Sequence, residues 1–145
     1  EKSIPVYVDP KKHHFSFYSG ARLFKPNLSE FFTGINDETD LEKAGASFRS
    51  QHGFDLLMVT QGEKGMSLFS KDKFYQIATK ARAAHDVSGA GDTVIATFAL
   101  SDVCGSHPND SAWLANLAAG RVCEEVGVVP IDTNSLMEIV NHHHD

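Results

Sequence analysis

The sequence predicts an α/β fold, and three observations carry that reading. Short apolar runs have the length and boundaries of strands, they alternate with segments of helical spacing, and the last third of the chain is helical in pattern almost throughout. An apolar fraction of 41% in 145 residues suffices for one buried core and argues against disorder.

Ile4 to Val8 is an apolar run ending at Asp9-Pro10, the pattern of a buried strand that opens into a loop; a polar end of such a strand is a common ligand position. Arg22 to Lys25 is a second short strand candidate, closed by Pro26-Asn27. Asp40 to His52 places Leu41, Ala44 and Phe48 at helical spacing, with Gly53 as the stop signal. Asp55 to Thr60 reads as a strand and Gln61 to Gly65 as a turn. Met66 to Phe69 and Phe74 to Ala78 then form an antiparallel hairpin around the charged turn Ser70 to Lys73. Ala90 to Val103 is small and apolar almost all round, as expected of a buried helix. Asn109 to Val126 is a long helix with Trp113, Leu114, Leu117, Ala118 and Val122 as its inner stripe, and Asn134 to Val140 is a final short one. No internal repeat or low-complexity linker interrupts the series.

Composition removes several functions. Nineteen acidic against thirteen basic residues give a net charge of −6 with no Lys/Arg cluster, which argues against nucleic acid as a partner. No apolar run approaches the roughly 20 residues of a membrane span, and the first residues lack a signal-peptide layout, so a soluble protein without a membrane partner is expected. Cys104 and Cys123 have no metal-ligand spacing and read as reduced core thiols of a cytoplasmic protein. Three successive histidines, His142 to His144, suggest a frayed or tag-like end rather than a metal site. The chain starts at Glu1 without a Met and runs at once into a strand candidate, which predicts a piece of a longer protein.

The strongest chemical signal is Asp86-Val87-Ser88-Gly89-Ala90-Gly91-Asp92-Thr93, directly before a helix. Glycines at a helix start let several backbone N–H groups point at one place, and the helix dipole adds positive charge there, so the segment suits a phosphate. Asp92 falls in the first turn, where a carboxylate is electrostatically favoured and is placed to act as a general base. Equally, the glycines make a tight turn and Asp92 complements the helix.

This segment resembles the C-terminal signature of the ribokinase-like, or PfkB, family of carbohydrate kinases, Asp-Thr-x-Gly-Ala-Gly-Asp. Three further segments match in the family's order. Asn27 to Glu30 resembles its Asn-x-x-Glu motif, Thr60 to Gly65 its nucleotide-side Thr-x-Gly-x-x-Gly turn, and Leu114 to Gly120 its late adenine-side helix. Within the family, Val8-Asp9-Pro10-Lys11, Phe15, Tyr18, Gly20-Ala21 and Pro26 to Phe31 are similar to D-glycero-β-D-manno-heptose 7-phosphate kinases, which serve ADP-heptose synthesis for lipopolysaccharide. The chain departs from them at Lys12 to His14 and after Gly127.

The resemblance implies a ribokinase-like three-layer α/β fold, with residues 1–145 as the C-terminal, nucleotide-binding part and the lid and sugar-binding N-terminal half absent. It also implies ATP-dependent phosphoryl transfer to a hydroxyl of a sugar or sugar phosphate. In that scheme Asp92 is the base, and the amides of Gly89, Ala90 and Gly91 neutralise charge on the transferred group. Asn27 and Glu30 act near Mg²⁺ through coordinated water. Thr60, Gly62 and Gly65 approach the nucleotide, Lys11 meets a phosphate, Asn116 borders adenine, and Asp86 with Ser88 belongs to a monovalent-cation (K⁺) loop.

Each role has a structural alternative: Asn27 as the N-cap of a short helix whose solvated face carries Glu30, Thr60 to Gly65 as a plain hairpin entry, Lys11 as exposed surface, Asn116 as a solvent-facing helix residue. The chain alone is expected to keep a nucleotide site with little or no turnover. Family dimers often pair through the lid, which leaves a homodimer of the full-length protein open. Another sugar or nucleoside kinase, or a non-catalytic nucleotide-binding module, is the alternative reading.

Overall fold

A computed structural model of the chain describes residues 3–11, 15–35, 40–79 and 87–142. They divide into two compact units, Glu1–Gln76 and Ile77–Asp145. The first is α/β as expected. Its strands are β1 (Tyr7–Val8), β2 (Leu23–Phe24), β3 (Leu56–Thr60), β4 (Met66–Phe69) and β5 (Phe74–Ile77), which stand in that order in one sheet. β1, β2 and β3 are parallel, with Tyr7 opposite Leu23 and Leu23 opposite Leu56, whereas β4 returns antiparallel with Val59 opposite Ser67. Parallel pairs need crossovers, and the chain supplies α1 (Leu28–Gly34) and α2 (Leu41–His52) between β2 and β3. Leu56 to Val59 are all buried, the continuous apolar run that a central strand requires.

The α-helices of this unit start where side chains accept the otherwise unpaired first amides. Asp40 accepts from Glu42 and Lys43 at the start of α2, and Gly53 ends that helix at φ 67°, the left-handed conformation that favours glycine. The core of this unit is aromatic. Phe24 stacks on Phe54 with ring centroids 4.5 Å apart, and Phe15, Phe31 and Phe48 meet edge to face around them.

The second unit holds α3 (Ala90–Val103), α4 (Pro108–Cys123) and α5 (Thr133–Asn141). The Ser111 hydroxyl donates to the Ser101 hydroxyl at 3.0 Å, joining α3 to α4. His107 caps α4 by accepting the Asn109 amide on Nδ1 (3.2 Å), and Pro108 occupies the first helical position, where its missing N–H costs nothing.

Several expectations need correction. β1 is confined to Tyr7–Val8: the Val6 carbonyl still accepts the Arg22 and Leu23 amides, but Ile4 is 82% and Val6 55% exposed, so the start of the run is not buried. α3 is not buried all round: Val94, Thr97 and Phe98 are buried while Leu100 and Val103 are exposed, since one helix neighbour covers one stripe. On α4 the buried face is Ser111, Ala112, Ala115, Asn116, Ala118, Ala119, Val122 and Cys123; Trp113, Leu114 and Leu117 are only partly covered. Small residues form the contact because they let helix backbones approach, and the bulkier side chains stand at its margin. Cys123 is buried as expected, but Cys104 is exposed at the end of α3.

Gly45 of α2 lies against the ring of buried Phe69, and a Cβ there would overlap that ring. Gly45→Ala is therefore expected to lower stability by about 1–3 kcal/mol despite the better helix propensity of Ala, as read by thermal or denaturant unfolding. Asp132 caps α5 by accepting the Ser135 amide at 2.7 Å, and that bond holds its carboxyl below the ordinary aspartate value of 3.8. A depressed folded pKa contributes stability above the unfolded value and loses it as pH falls through the folded one. Helical order at α5 should accordingly persist just below pH 3.8 and decline further down, with Asp132→Asn abolishing the dependence; NMR titration of α5 amides checks this.

Candidate functional site

In the first unit the carboxyl ends of three parallel strands lie side by side, the edge at which open α/β sheets present ligand-binding residues. Asp9 follows β1, Lys25 follows β2, and Thr60 ends β3. Their alignment is fixed by backbone bonds: the Lys25 amide donates to the Val8 carbonyl (2.8 Å) and the Thr60 amide to the Pro26 carbonyl (3.1 Å). Asn27 forms a parallel bridge with Thr60. Two residues singled out from motifs 33 positions apart thus stand next to each other.

Asn27 and Glu30 are joined by a reciprocal capping box at the start of α1. The Glu30 amide donates to Asn27 Oδ1 at 2.8 Å, and the Asn27 amide donates to Glu30 Oε2 at 2.8 Å. The capping role weighed from the sequence is present. Thr60 leads into a turn in which the Gln61 amide donates to the Gly65 carbonyl (2.8 Å) and the Gly65 amide to the Gly62 carbonyl (3.0 Å). Gly62 has φ 58° and Gly65 φ 90°, ψ −130°, so glycine supplies backbone shapes that other residues adopt at a cost. Among the described residues, chain neighbours aside, nothing lies within 4 Å of where a Cβ at Gly62 would stand.

Lys11 is exposed and reaches Asp9 Oδ2 at 3.2 Å. The other oxygen of Asp9 holds a residue the sequence reading passed over: Lys25 Nζ lies 3.2 Å from Oδ1, with its side chain only 4% exposed. A buried ammonium is stable only when paired, so one carboxylate collects two lysines at the strand ends. The sequence signal was present, since Lys25 is a charge wedged between buried Phe24 and Pro26.

In the second unit Gly89 is the N-cap of α3 with φ 80°, and as a glycine it brings no capping side chain of its own. The Ala90 amide donates to the Val87 carbonyl (3.2 Å) and the Thr93 amide to the Gly89 carbonyl (2.9 Å). Asp92 stands exposed in the first turn, and Ser88 lies in the turn before it. Asp86 lies outside the described residues. Asn116 does not face solvent: it is 6% exposed on α4, and its Nδ2 donates to the Ala78 carbonyl at 2.9 Å, tying the helix to the segment after β5. Among the described residues no three His, Cys, Asp or Glu side chains cluster as a metal cage, and no helix is long and apolar enough to cross a membrane.

The family model of pfkB family carbohydrate kinases matches residues 1–134. The chain is 40% identical, over 99% of its length and 32% of the other's, to the Bifunctional protein HldE of Coxiella burnetii (strain Dugway 5J108-111). It is 42% identical, over 97% of its length and 30% of the other's, to the Bifunctional protein HldE of Ectopseudomonas mendocina. The chain therefore spans about a third of the length of these relatives. Among solved structures, Arabidopsis thaliana ribokinase complexed with ribose and ATP superposes with a TM-score of 0.84 at 24% identity, covering 94% of this chain and 47% of that one. That likeness shows the ribokinase-like α/β fold.

The Asp9–Lys25 pair and the Asp9–Lys11 pair should behave differently. Asp9→Ala strands a buried ammonium and is expected to cost about 3–5 kcal/mol, whereas Lys11→Ala removes an exposed partner and should cost under about 1 kcal/mol. Lys25→Met, which removes the buried charge and keeps the apolar stem, should be near neutral for stability; denaturant unfolding of the three variants checks the order.

Proposed function

The chain belongs to the pfkB family of carbohydrate kinases, and from that premise we propose that it supplies the ATP site and catalytic base for phosphoryl transfer to a sugar-phosphate hydroxyl, the sugar being D-glycero-β-D-manno-heptose 7-phosphate. In this proposal residues 1–145 are the C-terminal, nucleotide-binding part of a longer kinase domain, and the chain alone binds nucleotide with little turnover. The similarity of Val8 to Phe31 to heptose kinases supports the choice of sugar. The observation that carries the chemistry is the amino end of α3: Gly89 turns the backbone into it and brings no side chain of its own to occupy the first amides, and Asp92 stands exposed in its first turn.

The Asp92 carboxylate takes the proton of the acceptor hydroxyl as that oxygen bonds to the γ-phosphorus of ATP. The bond from the γ-phosphorus to the bridging oxygen breaks, and ADP leaves with the electron pair. Amides of Gly89 and Gly91, with that of Ala90 shared with the Val87 carbonyl, and the positive end of the helix dipole favour the charge that builds on the transferred group. Thr60, Gly62 and Gly65 take the nucleotide along the strand end, Lys11 meets a phosphate, and Asn116 lines the adenine side.

Asn27 and Glu30 offer one amide and one carboxylate oxygen, hard donors of the kind that hold Mg²⁺ while it keeps most of its water. When bound, that ion neutralises phosphate charge. Ser88, with Asp86, is the place for K⁺.

Asp92→Asn keeps the shape of the side chain and removes the base. In the protein that carries this chain, turnover is expected to fall about 10²–10⁴-fold with ATP affinity retained. Unchanged turnover would remove Asp92 from the mechanism.

A further inference from the structure

Ser67 lies in β4 between Met66 and Leu68, all three buried, and is itself fully buried. An apolar residue would serve such a position, because a hydroxyl taken from water carries a penalty unless it is bonded. This one is bonded twice. Gln61 Nε2 donates to Ser67 Oγ at 2.6 Å, and Ser67 Oγ donates to Gln76 Oε1 at 2.6 Å. The hydroxyl thus accepts from one amide and donates to the other, a relay running from the end of β3 through β4 to β5.

The relay ends on the residue that controls a turn. Gln61 closes both ends of the Gln61 to Gly65 turn, its amide donating to the Gly65 carbonyl (2.8 Å) and its carbonyl accepting the Lys64 amide (3.2 Å). The two glycines leave the turn backbone free to take other shapes, so its conformation depends on how Gln61 is anchored. The β3–β4 register, with Val59 opposite Ser67 and Thr60 opposite Met66, fixes the anchor point, and Gln76 orients the hydroxyl.

We propose that Ser67 and Gln76 are positioning residues for nucleotide binding: through Gln61 they hold the Gln61 to Gly65 turn in its ligand-accepting form and thereby set affinity for the nucleotide rather than the rate of the chemical step. The proposal rests on the reading of that turn as the nucleotide side of the site. It assigns to a strand interior an effect on binding exerted entirely through a neighbour's side chain.

The test uses the protein that carries this chain, with ATP as the probe, measured by direct titration and by steady-state turnover. Ser67→Ala and Gln76→Leu should each raise the Kd for ATP about three- to tenfold while leaving kcat within about twofold. Gln76→Glu, which keeps an acceptor for the hydroxyl, should restore ATP affinity. Gln76 is exposed, so its variants keep the test decisive even where Ser67→Ala fails to fold. Unchanged ATP affinity in Gln76→Leu, or a fall in kcat with Kd unmoved, would overturn the inference. Absence of ATP binding in the unsubstituted protein would overturn both this inference and the reading on which it rests, and it is distinguished by appearing before any substitution.

Discussion

The bond from the Thr60 amide to the Pro26 carbonyl, 3.1 Å long, sets the geometry on which the strand-end site depends. β2 is only two residues long, so its ladder alone leaves the following segment loosely defined. Pro26 has no N–H to spend and offers only a carbonyl; accepting from Thr60, it extends the parallel register past the end of β2 and delivers Asn27 beside Thr60. On the other side, the Lys25 amide does the same for β1 through the Val8 carbonyl. Alternation then decides what faces where. With Phe24 and Lys25 on successive positions, one turns into the aromatic core and the other meets Asp9.

Much of this was legible because it is punctuated locally. Asp40 and Gly53 bracket α2 in sequence and in space, Pro26-Asn27 ends β2 and starts α1, and the charged stretch from Ser70 to Lys73 separates β4 from β5. Those signals act within a few residues, through a cap, a left-handed glycine or a turn. The aromatic core was not legible: Phe15, Phe24, Phe31, Phe48 and Phe54 come from a short helix, a strand, two helices and a loop, and no period links them. The face of α4 was misjudged for a related reason. Size ranks Trp113 and Leu117 as core, whereas close helix packing selects Ala112, Ala115 and Ala119.

For the proposed chemistry, the motif residues that pair most tightly are also the ones with a structural occupation. Asn27 and Glu30 hold each other, so any ion they help to bind takes lone pairs that the capping box leaves over: Glu30 Oε2 serves the Asn27 amide, and Asn27 Oδ1 serves the Glu30 amide. This is compatible with contact through water, where a carboxylate accepts bonds without surrendering the ones it has. It also makes the box a source of rigidity, since the same two bonds that start α1 orient the carboxylate. Asn116 shows the same economy, its amide spent on the Ala78 carbonyl.

The amino end of α3 separates two kinds of residue within one motif. Gly89 has φ 80°, a left-handed backbone shape that favours glycine whether or not a phosphate ever arrives. Its presence is accounted for by the fold alone. Asp92 is different. As a complement to the helix dipole, an exposed carboxylate in the first turn is worth about 0.3–1 kcal/mol, and Glu would serve as well. Nothing in the packing demands an aspartate at that position. The residue least explained by stability is thus the one whose substitution bears most directly on the proposed chemistry.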